Sequence, residues 1–364
     1  MNFVAQGVGR GRSMAGTRPR RMARPFAALC GVTTTAALTL AGCSDSSTKD
    51  ASTGLPEPKP GKLATFSLAG LSSKYDLNYA TDPYGSRQLA SDQSGNVYLM
   101  KQDVGTAMDI ILKMTPHGAV SKVARIPSLG IDGSIAVAPD GELLVGGYKG
   151  LFRVDRHAKV RPVNAPRFKH PNPIGARPDG SMVVKDEHAL WSLKGTHKTR
   201  LYTFPKKSGT PAATVDATGT IYTDAGSTLK HMLVLAPGHG PRALSVRGNI
   251  PGTKTPISSQ TAITMTPARG GGLYAQANTS PTKAAKFAYI VRVRPSGSAT
   301  VLARGTMDST NAGCKSGKHY PALNTPCPMP WFVVQSGKRL LVMGSPKDNG
   351  GDHLPAFALR AVTK

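Results

Sequence analysis

Beyond residue 60 the chain is written in short apolar runs separated by polar turns, and the order repeats. An apolar run leads into an Asp-Gly or Asp-x-x-Gly turn, a second β-rich run follows, and a third and fourth complete the unit. The clearest copy reads Ile135-Ala136-Val137-Ala138-Pro139-Asp140-Gly141-Glu142-Leu143-Leu144-Val145, then Leu151-Phe152-Arg153-Val154, then Lys159-Val160-Arg161-Pro162-Val163. Others begin at Ser91-Asp92-Gln93-Ser94-Gly95-Asn96-Val97-Tyr98, Pro178-Asp179-Gly180-Ser181-Met182-Val183 and Val215-Asp216-Ala217-Thr218-Gly219-Thr220-Ile221-Tyr222. Two looser copies run from Ile263 and from Phe332. The turn glycines fall at 95, 141, 180, 219, 271 and 337. Glycine supplies the positive φ such a turn needs, and Asp bonds its own backbone two residues on.

Runs of four to six residues with regular turn punctuation predict an all-β repeat architecture. A four-stranded repeat of about 40 residues is a propeller blade. Six copies predict a six-bladed β-propeller over 61–364, with seven blades or a β-sandwich of similar strand count as alternatives. The sixth copy ends after its third strand, and Leu63-Ala64-Thr65-Phe66-Ser67-Leu68 can supply the missing outer one, closing the ring and leaving no open seam. Asp-x-x-Gly-Asn-Val-Tyr and Ala-Pro-Asp-Gly resemble the repeats of NHL-type propellers, a likeness that implies architecture and no particular activity.

The first 42 residues follow a different pattern. Six arginines and no acid precede an uncharged run from Phe26 to Gly42, which ends in Leu40-Ala41-Gly42-Cys43. This order resembles a bacterial lipoprotein signal peptide. It implies removal of residues 1–42, lipidation of Cys43 and a mature protein on the outer face of the cytoplasmic membrane. Arg20-Arg21 leaves general and twin-arginine export both open, and Met14 and Met22 are further possible starts. Residues 43–60 have almost no large apolar side chain and are expected to form a disordered tether.

Charge narrows the partners. The chain carries 46 basic and 20 acidic residues, a net +26. Six of the basic residues leave with the signal, so 40 face 20 in the mature part. Such an excess favours an anionic envelope polymer, lipid or partner protein. Export and the lack of a binding motif argue against specific nucleic-acid recognition. Cys314 and Cys327 form an even pair in an oxidising compartment and are expected to be bridged.

In a propeller the second-to-third-strand loops and the blade-to-blade connections share one face. Here that face takes every long insertion, including 245–261, 276–287, 303–330 and 344–355, and long loops on a rigid scaffold often carry function. They bear Lys206, Lys207, Lys283, Lys286, Lys315, Lys318, His319, Lys347 and His353, the expected anion-binding residues. Asp186, Glu187 and His188, with His353, form the best acid–base set for a catalytic alternative, a propeller-type lyase or lactonase, metal-dependent in one version. A hard-cation centre needs several carboxylates, and the chain has three glutamates, Glu57, Glu142 and Glu187. Gly270-Gly271-Gly272 precedes a strand rather than a helix and fails as a phosphate loop. The preferred expectation is a monomeric, noncatalytic ligand- or protein-binding module without metal or cofactor.

Overall fold

The computed structural model describes residues 54–72, 74, 75, 77, 89–103, 106–129, 133–164, 168–205, 211–225, 228–279, 286–307, 313–344 and 356–361. The lipobox cysteine Cys43 and Lys206, Lys207, Lys283, Lys347 and His353 lie outside them.

The chain enters as β1 (Lys62–Phe66). Blade 1 is β2 (Ala90–Ser91), β3 (Val97–Asp103), β4 (Met108–Met114) and β5 (Val120–Pro127). Blade 2 is β6 (Ser134–Val137), β7 (Leu143–Gly147), β8 (Gly150–Val154) and β9 (Val160–Pro162). Blade 3 is β10 (Asn172–Ala176), β11 (Met182–Lys185), β12 (Ala189–Lys194) and β13 (His197–Thr203). Blade 4 is β14 (Ala213–Val215), β15 (Ile221–Asp224), β16 (Met232–Leu235) and β17 (Arg242–Ala243). Blade 5 is β18 (Thr261–Pro267), β19 (Leu273–Asn278), β20 (Phe287–Val293) and β21 (Ala299–Thr306). A short strand, β22 (His319–Pro321), precedes blade 6, which is β23 (Phe332–Ser336), β24 (Arg339–Met343) and β25 (Ala356–Arg360). Six antiparallel sheets stand around one axis as a six-bladed β-propeller.

Blade 6 closes as the strand arithmetic predicts. β1 pairs with β25, Ala64 opposite Ala358 and Phe66 opposite Ala356, and so becomes its fourth strand. β22 then pairs with the free side of β1 and makes this sheet five-stranded. Thr65 Oγ1 donates to the carbonyl of Lys315 at 2.6 Å and accepts the Lys318 N–H at 2.9 Å, pinning that loop to β1. The Cys314–Cys327 disulfide forms as expected and spans the same loop.

Packing explains the composition of the strands. The core divides into six apolar clusters, each between two neighbouring blades. Along β24, Leu340 and Val342 face blade 5, whereas Leu341 and Met343 face blade 1. Both faces of an inner strand are therefore buried, and such strands read as unbroken apolar runs rather than alternating ones. The six turn glycines all have positive φ, from 59° to 88°. Blade 5 has no Asp in its glycine-rich turn; instead the buried guanidinium of Arg292 donates to the carbonyls of Gly271, Leu273 and Val293.

The packed chain begins earlier than the tether pattern suggests. Leu55 is buried in the cluster between blades 6 and 1, and Glu57 pairs with Arg339, Nη2 to Oε2 at 2.7 Å. Packing against the blades thus reaches back to Leu55 among the described residues. The buried Leu55 and the Glu57–Arg339 pair tie a proline-rich segment that composition alone marks as unstructured to the blades.

Candidate functional site

Every blade sends its first strand to the axis, and the strand ends in the glycine turn. In blades 1 to 5 this turn has one hydrogen-bonding pattern. The N–H of its glycine (95, 141, 180, 219 or 271) bonds the carbonyl three residues earlier, on Asp92, Ala138, Arg177, Asp216 or Ala268. Those five residues are equivalent positions in a ring around the short-turn end of the channel, and Gln335 of blade 6 joins them. All six line one cavity of about 340 Å³ on the propeller axis. Its walls are mostly apolar, with Ile135, Val137, Ile174, Val215 and Met265 from four blades.

The two carboxylates in this ring are consumed locally. Asp216 accepts from Thr218 N (2.9 Å), Thr218 Oγ1 (2.6 Å), Thr220 N (3.1 Å) and the Tyr222 hydroxyl (3.3 Å). Asp92 accepts from Asn96 N, Asn96 Nδ2 and the Tyr98 hydroxyl. Burial, reinforced by these carboxylates, pushes both tyrosine hydroxyls up to about 12.

Blades 2 and 3 place the turn aspartate two residues later, as Asp140 and Asp179, which bond Glu142 N and Ser181 N. The first turn position is thereby released from capping. In blade 3 it holds Arg177, whose Nε is buried without a hydrogen-bond partner. Burial lowers the Arg177 pKa from its ordinary value, opposed by the Asp179 charge; an arginine remains cationic under any physiological condition. Across the ring, Arg269 N donates to Gln335 Oε1 at 3.0 Å, and its guanidinium reaches the Gln93 carbonyl of blade 1 at 2.8 Å. Two guanidinium groups therefore stand at a largely apolar, concave site whose carboxylates are already occupied.

The sequence-selected residues fall elsewhere. Asp186 caps its own loop, accepting from His188 N, Ala189 N and Trp191 Nε1. Glu187 meets Lys169 Nζ at 2.7 Å, His170 Nδ1 at 2.9 Å and His188 Nε2 at 3.7 Å, and Lys169 above all holds its carboxyl below the usual range. Asp186 and Glu187 thus serve different networks. The His170 ring lies against the exposed Tyr148, centroids 3.7 Å apart. Lys315, Lys318 and His319 sit on or beside β22, at the outer edge of blade 6, and exposed Lys286 immediately precedes the third strand of blade 5. None of these four lines the axial cavity, and the disulfide-linked loop pairs with the outer side of β1. Among the described residues no three His, Cys, Asp or Glu side chains group as a metal site.

No protein-family model and no curated protein matches the chain. Solved structures do resemble it. Virginiamycin B lyase from Staphylococcus aureus is 14% identical, with a TM-score of 0.48, over 82% of this chain and 99% of that one. A gluconolactonase from Xanthomonas campestris is 13% identical, with a TM-score of 0.47, over 78% and 88%. The calcium-binding protein regucalcin from Agrobacterium tumefaciens is 13% identical, with a TM-score of 0.46, over 78% and 92%. At such identities the likeness transfers no chemistry, and the function has to be argued from the residues of this chain.

One further group escaped the sequence reading. Asp224, at the end of β15, is buried, accepts the Ala212 N–H at 2.7 Å, and is pushed up to about 7 by burial despite the opposing Lys185 charge. Lys185, itself buried, donates to the Pro211 carbonyl at 2.8 Å. Nothing in a lone Thr-Asp at a strand end marks such a residue; its burial depends on the adjoining blades.

Proposed function

We propose that this protein is an extracytoplasmic binding module, anchored through lipid on Cys43, whose central channel takes a small organic anion. One observation carries this reading: Arg177 lines the cavity in the ring position where blades 1 and 4 have self-capping aspartates, and its Nε is buried without a hydrogen-bond partner. A buried donor without a partner is costly, and a carboxylate or phosphate would satisfy it with a charge-assisted, forked contact. The apolar walls suit a ligand with a hydrocarbon or ring body, and about 340 Å³ falls at the small end of small-molecule sites.

Calorimetric titration of the mature protein against a panel of small carboxylates and phosphate monoesters tests it. Arg177→Met should weaken binding of any hit by about ten- to a hundredfold, the range for a hydrogen bond to a charged group. Arg177→Lys should recover only part of the loss, because an ammonium keeps the charge but not the fork. Equal affinity in wild type and Arg177→Met would remove the channel from the proposal.

A further inference from the structure

Three large apolar side chains are exposed among the described residues: Tyr148, Phe287 and Leu323. Two of them belong to one patch. Arg304 lies over the Phe287 ring, 5.0 Å from its centroid, and its Nη2 donates to Asn324 Oδ1 at 3.3 Å, beside Leu323. The Ala322 N–H bonds the Gly61 carbonyl at 3.0 Å, and Lys62 stands opposite Pro321 in the β1–β22 ladder. The patch thus runs without a break from Phe287 through Arg304 and Leu323 to the turn that begins at Lys59.

The cations described at this patch are Arg304 and three lysines. Lys59, Lys62 and Lys286 are exposed, and none of them ion-pairs with a described residue. The carboxylate of Glu57, two residues before Lys59, is engaged by Arg339. Apolar side chains ringed by unpaired cations match the interface of an anionic bilayer, where the rings and aliphatic groups enter the headgroup boundary and each cation near the surface adds attraction. The position of the patch supports the same occupant. The described chain begins at Gly54 beside His117 of blade 1 and reaches the patch five residues later, at Lys59; Cys43 stands eleven residues before Gly54, a reach of about 40 Å at most.

We infer that this rim of blades 5 and 6 rests on the surface of an anionic membrane. Because outer strands form the rim, the propeller axis then lies along the membrane plane, and both channel mouths open sideways. The inference is independent of the channel ligand, and it holds without the lipid itself.

Vesicle flotation of an unlipidated chain starting at Ser44 tests it, since all six blades and β1 are retained. Vesicles of phosphatidylcholine alone should bind little, and vesicles containing phosphatidylglycerol should bind strongly at low salt and weakly at high salt. Lys59→Ala with Lys62→Ala, and separately Phe287→Ser with Leu323→Ser, should each weaken binding about tenfold or more. Lys122→Ala with Lys159→Ala, exposed lysines on or beside the outer strands of blades 1 and 2, should leave it unchanged. Equal loss in that control would reduce the effect to net charge and overturn the inference. So would binding indifferent to phosphatidylglycerol, or tighter binding by a chain starting at Gly54, which would mean that residues 44–53 cover the patch.

Discussion

The hydroxyl of Ser336 donates to the carbonyl of Gly95 at 2.7 Å, across 241 residues of chain. This bond lies at the seam where blade 6 meets blade 1, with Arg269 crossing the same seam to Gln93. The approach is so close that a Cβ on Gly95 would lie 2.5 Å from the Gly337 nitrogen, whereas one on Gly180, the equivalent turn glycine of blade 3, would meet nothing within 4 Å.

Gly95→Ala should therefore cost about 2 kcal/mol or more, combining left-handed backbone strain with a clash against main chain. Gly180→Ala should cost only the backbone part, about 1 kcal/mol. Urea denaturation of the two variants separates the terms; equal losses would show that the seam adjusts freely.

Asp224 makes stability depend on pH. Its folded carboxyl, raised to about 7 from an ordinary 3.8, keeps a proton that the unfolded chain has already lost. Stability from this group is thus highest in acid, falls as pH rises from about 4 to about 7, by up to about 1.4 kcal/mol per unit, and is level above that. Asp224→Asn should flatten this part of the profile, so the variant gains on wild type as pH rises from about 4 to about 7. Parallel profiles would place the titration elsewhere.

The disulfide joins residues 13 apart, and closing such a loop is worth about 3 kcal/mol in the chain-entropy account. Cys314→Ser with Cys327→Ser should lower stability by about that amount, and β22 should lose amide-exchange protection before β1 does, because β1 keeps its pairing with β25. Simultaneous loss from both strands would mean that the loop holds the clasp itself.

Cys43→Ala should abolish incorporation of a labelled fatty acid into the expressed protein and release it from the membrane pellet at high salt. Retained label would locate acylation at another residue.

The architecture was legible because its punctuation is chemical. Each turn needs a positive φ, glycine meets it most easily, and all six glycines picked from the repeat adopt it. The clasp was legible from a missing fourth strand. The cavity was not, because the long insertions lie on the opposite face, while the channel site lies toward the short turns. A trace of it was present in the spacing: Asp three residues before the glycine in blades 1 and 4, but immediately before it in blades 2 and 3, which leaves Arg177 uncommitted. That an Nε would be buried and unpaired depends on neighbours across the ring, and no local pattern encodes those. The place of Lys315 and Lys318 was not legible, because the disulfide loop is held by an edge-strand pairing with β1, more than 250 residues away in sequence.

The position of β1 also determines how the protein bears load. Ladder hydrogen bonds lie across the strand direction, and β1 is flanked by β25 on one side and β22 on the other. Tension drawn along the N-terminal segment therefore pulls β1 lengthwise, and its bonds on both flanks resist together instead of parting one after another. The strand that seals the ring is also its mechanical coupling, placed where drag on the domain is met in shear.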